Sequence, residues 1–529
     1  RNIMTDVNQV AKGRYPGNAD LLSKIENFAS FYQKIKLQRG LADYDDLLVY
    51  WLEILENNDE AATYYQNRFS HVLVDEYQDV NCLQAKIVDK IAYKHQIMAV
   101  GDDAQCIYTW RGADLDQILS FPDRHPGTKI FKIETNYRSS PEILKLANDI
   151  LKSRATEGSF SKELKPSRPH QDLPLVVPTM DAYQQADFVL SKVQSLYDSG
   201  VHYDDIAILY RAHFHAMELQ VELSRRGVPF VITSGMRFFE QAHVKDLVAQ
   251  LRFVANPKDL TAFFRFACLL PKVGEKTAAK IIGIAEKYTL SGQCSLIEAL
   301  ESKEVWAKVP KDAKEDWKEL VETLKNIAIL TATASPAQVV EGAIGGWYQD
   351  YLRSTYENWP RREEDLESLI DFATKYENLA EMLSQLVLLS SESGDRVVRQ
   401  GEHCLRLSTI HQSKGLEYQH VFVIGLSDGL FPSKRAIDGE SDMEEEKRLF
   451  YVATTRAEKS LHLVFPMLSN QKGSPVRLMQ SRFLKDIDDS RYDLLNVHSS
   501  FGPGRASNRG WNQYGSKNTY GGGYLGRSY

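Results

Sequence analysis

His71-Val72-Leu73-Val74-Asp75-Glu76-Tyr77-Gln78-Asp79 is a short apolar run that ends abruptly in carboxylates. A run this short, bounded by polar residues, predicts a buried strand rather than a helix. The same grammar follows in Ile97-Met98-Ala99-Val100, which closes on Gly101-Asp102-Asp103. It returns in Ile206-Ala207-Ile208-Leu209-Tyr210, in His420-Val421-Phe422-Val423-Ile424-Gly425 and in Leu461-His462-Leu463-Val464. Apolar strands with polar residues at their C-terminal ends are the pattern of a parallel α/β sheet, whose ligands bind at those ends. The grouping of these runs along the chain predicts two α/β units.

Around these units the chain divides by composition. Residues 1–70 read as a helical subdomain, with Leu21, Leu22, Ile25, Phe28 and Phe31 on one face and Leu47, Leu48 and Leu52 on another. Residues 71–136 carry the first α/β unit, while 137–235 and 404–490 carry two segments of the second. The intervening residues 236–403 are helical in pattern and almost without strand signals, as expected of an insertion. Residues 491–529 form a tail that from Gly502 onward is rich in Gly, Ser, Asn, Tyr and Arg. With so few aliphatic residues it is expected to be disordered, free to recruit a protein partner or add weak nucleic-acid affinity.

At 529 residues the chain has room for several compact units, and 43% hydrophobic with 26% charged residues is ordinary for a folded soluble protein. A net charge of −7 excludes a uniformly basic nucleic-acid coat but permits a local basic groove. The five cysteines lack paired spacing, so neither a disulfide framework nor a zinc site is indicated. No apolar run approaches a membrane span and no signal-peptide pattern opens the chain, so the expected location is the cytoplasm. The sequence begins at Arg1 in what reads as the middle of a helical region, the mark of a fragment or processed chain.

The chemistry gathers in five segments. A carboxylate at the end of an apolar strand can hold Mg²⁺, and the next can deprotonate water for attack on a γ-phosphate. Asp75 and Glu76 fit these roles, although an isolated Asp-Glu pair is more often only a solvated strand end. In the second segment, Gly101 to Ala113, the Gln105 amide is suited to sensing a γ-phosphate. Tyr108, Trp110 and Arg111 are suited to stacking on bases, although a Trp110 taken alone would more often be a core residue. The third segment, Glu134 to Ser140, offers Tyr137 for an adenine face and Arg138 for phosphate oxygens. It also reads as a strand-to-helix turn, with Ser140 capping and Pro141 at the first helical position. The fourth runs from Leu407 to Tyr418, and the fifth from Glu444 to Ala457, where Arg456 could act as an arginine finger.

Taken in order and spacing, these segments resemble motifs two to six of the UvrD/Rep/PcrA family of superfamily-one DNA helicases. The likeness covers roughly residues 40–485, from Asp43-Tyr44-Asp45-Asp46-Leu47-Leu48 to Ser481-Arg482-Phe483-Leu484. It implies two RecA-like domains, the first incomplete, closing on ATP and Mg²⁺ to drive 3′-to-5′ movement on single-stranded DNA and its junctions with duplex. By position, Asp75 would hold Mg²⁺ and Glu76 would be the catalytic base. Gln105, Arg138 and Arg456 would meet the γ-phosphate, Tyr137 the adenine and Glu417 the ribose. Tyr108, Trp110 and Arg111 would hold the single strand, with Thr409 and His411 joining the DNA track to the nucleotide site. Ala104, Cys106 and Thr454 depart from the usual residues without touching an assigned group.

Pro271-Lys272-Val273-Gly274-Glu275-Lys276-Thr277 is similar to the family's turn against duplex phosphate, with Lys272 and Lys276 as its cations, and reads as well as a plain interhelical turn. The family's G-x-x-x-x-G-K-[ST] phosphate loop does not occur in the sequence. The expectation is therefore a helicase whose present chain hydrolyses ATP poorly by itself. The alternative is a non-hydrolysing single-stranded-DNA-binding module or one half of a split motor.

Overall fold

The computed structural model describes residues 22–92, 97–109, 112–153, 159–233, 241–290, 294–356, 358–374, 376–391, 403–439, 442–471 and 474–495. Trp110, Arg111, Leu21 and the tail from Gly502 lie outside the described residues.

The opening stretch forms strand β1 (Val72–Val74), which pairs in parallel with β2 (Ile97–Ala99), Val72 opposite Ile97. Parallel neighbours need a crossover, and the helix Cys82–Ile91 supplies it. It starts at a reciprocal cap in which Asn81 and Gln84 satisfy each other's backbone N–H groups. Its Leu83 and Ile87 bury against Leu52 and Leu55 of the helix Tyr44–Asn57. On the sheet, Tyr77, Ile118 and Phe121 pack with Val74, Ile97 and Ala99. Leu73 and Met98, which point the other way, are exposed. The helix Leu22–Arg39 also differs from expectation: its Ile25, Phe28 and Phe31 are exposed, because no described element packs on that face.

Two short strands, β3 (Thr135–Asn136) and β4 (Lys165–Pro166), lie in parallel at the passage to the second unit. That unit is a seven-stranded parallel sheet. Its strands are β5 (Leu175–Thr179), β6 (Ile206–Tyr210), β7 (Phe230–Ile232), β8 (Leu405–Thr409), β9 (Tyr418–Val423), β10 (Ala457–Pro466) and, at one edge, β13 (Asp493–Leu494), in the order β13-β5-β10-β9-β6-β8-β7. An antiparallel hairpin, β11 (Leu468–Gln471) with β12 (Ser474–Arg477), stands apart.

The continuous apolar reading of β6 follows from burial on both faces. Ala207, Leu209, Val421 and Leu463 face one cluster with the helices Pro141–Lys152 and Met443–Thr454. Ile206, Ile208, Phe422 and Val464 face another with the helices Ala182–Asp198 and Met217–Arg225. Between β7 and β8 the described chain is helical, from Ala242–Ala255 to Leu379–Ser391, around its own core of Phe253, Phe263, Phe266 and Trp317. No described helix is long and apolar enough to cross a membrane. The molecule thus has the α/β architecture of two parallel-sheet units with helical insertions.

Candidate nucleotide site between the two cores

The carboxylates after β1 sit on a constrained turn. Glu76 occupies the left-handed region at φ 52°, ψ 41°, where a side chain costs about 1 kcal/mol or more. The surroundings hold it there: the Tyr77 N–H donates to the Val100 carbonyl at 2.9 Å, and the Asp79 N–H donates to the Glu76 carbonyl at 2.9 Å. The fully buried Gln78 ties the turn to the end of β2. Its Nε2 donates to Glu76 Oε2 at 2.5 Å, and its Oε1 accepts from the Asp102 N–H at 2.9 Å. Glycine at position 101 leaves room for that approach, since a Cβ there would lie 2.6 Å from Gln78 Oε1 and would push it aside.

The second core places its charges against this turn. Lys414, from the loop between β8 and β9, donates to Asp79 Oδ2 at 2.6 Å and to the Gln105 carbonyl at 2.9 Å, and lies 3.5 Å from Glu76 Oε2. Burial raises the Asp79 pKa above the usual carboxylate range, with Lys414 opposing. Arg456, at the junction of the helix Met443–Thr454 and β10, is 2% exposed. Its guanidinium donates to the Val452 and Leu416 carbonyls at 3.1 Å each, to Thr455 Oγ1 at 3.2 Å and to Gln105 Oε1 at 3.3 Å. Burial, aided by the neighbouring Arg138 charge, lowers its pKa to about 10. Gln105 is turned toward Arg456 because its Nε2 donates to Asp102 Oδ2 at 2.9 Å.

Arg138 approaches from the third segment. Asn136 Oδ1 accepts from the Arg138 and Ser139 N–H groups at 2.9 Å each, folding the chain into the helix that Ser140 caps and Pro141 opens. The segment thus forms the strand-to-helix turn that its sequence predicts. The Arg138 guanidinium donates to Glu417 Oε2 at 2.5 Å, and the Tyr137 ring beside it is largely exposed.

The candidate DNA residues are partly assembled. Tyr108 Oη donates to the His411 carbonyl at 2.9 Å, and Lys414 Nζ lies 5.4 Å from the Tyr108 ring centroid. Thr409 ends β8, buried, two residues before His411. Lys272 and Lys276 stand elsewhere, at the turn and first helical residues of Glu275–Leu290 in the helical insertion. Lys272, at φ 58°, pairs with Asp312 at 2.5 Å.

A hard cation such as Mg²⁺ takes few protein oxygens and completes its shell with water and phosphate. Asp75 fits this pattern: it is exposed at the end of β1, and its Oδ1 accepts the Glu76 N–H at 2.9 Å. Among the described residues no group of three or more His, Cys, Asp or Glu could hold a metal by themselves.

Sequence reasoning passes over Gln78, Asp79, Asp102, Lys162 and Lys414. Gln78, Asp79, Asp102 and Lys414 lie inside segments it quotes, so their spacing beside Glu76, Gln105 and Glu417 was the available signal. Lys162 has none, being defined only by its ion pair with Asp102.

Comparison with known proteins identifies the family. Residues 131–466 match the model of the UvrD-like helicase C-terminal domain, and residues 4–126 match that of the UvrD/REP helicase N-terminal domain. The ATP-dependent DNA helicase PcrA of Bacillus subtilis (strain 168) is 31% identical over 497 residues, covering 88% of this chain and 64% of that protein. DNA helicase II of Haemophilus influenzae is 31% identical over 468 residues, covering 86% and 63%. The chain thus spans somewhat less than two thirds of the length of these relatives. With one family model covering more than half of its residues, and with motif residues converging between two parallel-sheet cores, the chain belongs to the UvrD-like helicase family.

Proposed function

We propose that the protein is an ATP-dependent DNA helicase, a motor that moves 3′ to 5′ along single-stranded DNA and opens its junctions with duplex. Its work would lie in DNA repair or replication restart, in the cytoplasm on the nucleoid. Arg456 carries the reading. It is buried, held by carbonyl, carboxamide and hydroxyl oxygens, and among the described residues no carboxylate pairs with it. A buried cation with no carboxylate in contact is costly, and a γ-phosphate at the Gln105 side of the interface is the anion that would relieve it.

Asp75 would hold Mg²⁺ alongside the ATP phosphates, and the ion would supply charge neutralisation at the transferable phosphoryl group. Glu76 takes the proton of the attacking water, its carboxylate aimed by Gln78. Gln105, Arg138 and Arg456 meet the charge of the transferring group. Tyr137 offers its exposed face to the adenine, and Glu417 takes a ribose hydroxyl when its pair with Arg138 opens. Tyr108, bonded to the His411 backbone beside Lys414, links strand binding to this centre. The sequence contains no phosphate loop, so we propose that turnover draws on such a loop outside these 529 residues.

ATP hydrolysis measured with and without single-stranded DNA tests the reading. The full-length protein should show DNA-stimulated turnover, and the 529 residues alone little. Glu76→Gln in the full-length protein should abolish turnover while leaving DNA affinity largely intact. Unchanged turnover in that variant defeats the general-base role, and DNA binding with no turnover in the full-length protein favours a non-hydrolysing binding module.

A further inference from the structure

The segment 159–166, which ends in β4, lies outside the catalytic motifs yet straddles both cores. Phe160 packs against the first core's cluster of Tyr77, Ile118 and Phe121. Leu164 packs into the second core's cluster, and its backbone is clamped by Asn148, whose Nδ2 donates to the Leu164 carbonyl and whose Oδ1 accepts the Leu164 N–H. Between these two anchors, Lys162 points inward.

The Lys162 ammonium pairs with Asp102 Oδ1 and lies 5.4 Å from the Tyr451 ring centroid on the second core's helix Met443–Thr454. It is 16% exposed. Asp102 is a junction: its Oδ1 also accepts the Ala104 N–H, its Oδ2 accepts Gln105 Nε2, and its own N–H donates to Gln78. From Asp102, one branch runs through Gln105 Oε1 to Arg456, and the other through Gln78 Nε2 to Glu76 Oε2. Burial works against charge on Asp102, while Lys162, Gln105 and Ala104 together hold its carboxyl below the usual range.

We propose that Lys162 is a positioning residue for phosphoryl transfer: fixed by the strap across the cores, it holds the Asp102 carboxylate so that Gln105 faces Arg456. The proposal rests on the ATPase reading above. It makes the strap a sensor of core closure, because Asp102 has its cation only when residues 159–166 sit against the first core. Without that cation, the Asp102 carboxylate is held only by the Ala104 N–H, and Gln105 loses the fixed acceptor that orients it. Small misplacements of this kind typically lower turnover by about 10²-fold while sparing binding.

The test is DNA-stimulated ATP hydrolysis by the full-length protein, with kcat and KM separated and single-stranded-DNA affinity measured alongside. Lys162→Met should lower kcat roughly ten- to a hundredfold, with KM and DNA affinity within about threefold of wild type. Lys162→Arg should recover most of the loss. Lys162→Met combined with Asp102→Asn should be no slower than the slower single variant, because both cut one chain of contacts. Should the methionine variant unfold, Lys162→Gln keeps a donor without the charge and is expected to show the same kcat loss at steady KM. Wild-type kcat in the uncharged variants overturns the proposal. So does an arginine variant as slow as methionine, or fully multiplying losses in the double variant. Absence of turnover in the wild-type protein instead refutes the ATPase reading, and this proposal with it.

Discussion

Replacing Lys414 by methionine removes the cation that joins the two cores at the acidic turn while keeping most of the side-chain volume. Lys414 Nζ lies 2.6 Å from Asp79 Oδ2, with side chains 6% and 23% exposed. At that separation the attraction is about 6 kcal/mol gross for an effective dielectric near 20. Desolvation of both groups offsets part of it. Asp79 Oδ1 is buried without a hydrogen-bond partner, so its carboxylate depends on Lys414. Breaking a buried pair by removing one member costs about 3–5 kcal/mol. The partial exposure of Asp79 scales this to about 2–3 kcal/mol. The sign with pH is fixed. Burial already raises the folded pKa of Asp79, and loss of Lys414 raises it further. A raised folded pKa favours the fold below the unfolded value and disfavours it as pH rises through the folded value. The penalty of Lys414→Met should therefore be small near pH about 4 and full near pH about 7. Urea denaturation at both pH values, read as the midpoint at constant slope, gives the measurement. Asp79→Asn in the Lys414→Met background should restore much of the loss. A penalty below about 0.5 kcal/mol at neutral pH, or one that is independent of pH, refutes the reasoning.

Gly101→Ala should destabilise the first core by about 1–3 kcal/mol, because the new Cβ meets Gln78 Oε1 at 2.6 Å and Ile118 Cδ1 at 2.8 Å. It should also slow ATP turnover by turning Gln78 from Glu76, and thermal melts with unchanged midpoint and turnover would contradict this. Burial pushes the His215 and His462 pKa values down to about 3 and that of His420 to about 4. Because the unfolded chain takes up these protons first, stability should fall as pH drops below about 6.5, by up to about 1.4 kcal/mol per pH unit for each histidine. His462→Gln should flatten that slope, and an unaltered slope would assign the acid sensitivity to other groups.

How much the sequence discloses depends on whether a contact is local. β1, β2, β6 and β9 are legible because burial on two faces or at a strand end leaves short apolar runs that nothing else explains. β5 is harder, since Pro178 argues against a strand. It nevertheless runs between β13 and β10, with Pro178 near its end opposite Phe465. β8 alternates Leu405 and Leu407 with Arg406 and Ser408 and so reads as a polar motif rather than part of the sheet. The site divides in the same way. Asp75, Glu76, Gln105, Arg138, Glu417 and Arg456 sit in ordered segments whose residue types fit phosphate chemistry. The pairs that bind the segments together are invisible from local pattern: Lys414 meets Asp79 across 335 positions, and Lys162 meets Asp102 across 60. Nothing local encodes a tertiary ion pair.

The charges at the interface sort into two kinds, and the difference bears on how the cores respond to a polyanion. Arg138, Lys162 and Lys414 each have a carboxylate, in Glu417, Asp102 and Asp79. The two lysine pairs hold the cores in register, and a phosphate must compete with a protein anion for any of the three. Arg138 is the easiest to win, because its partner Glu417 is 53% exposed and loses little on returning to water. Lys162 and Lys414 are 16% and 6% exposed, so displacing their partners would strand buried charge. Arg456 alone of the four is held by neutral oxygens. A γ-phosphate would therefore gain most from Arg456, then from Arg138, and would leave the two lysine pairs intact. Binding would then strengthen the contact between cores rather than exchange one set of ion pairs for another, and release of the phosphate would weaken the interface at Arg456 and Arg138 first.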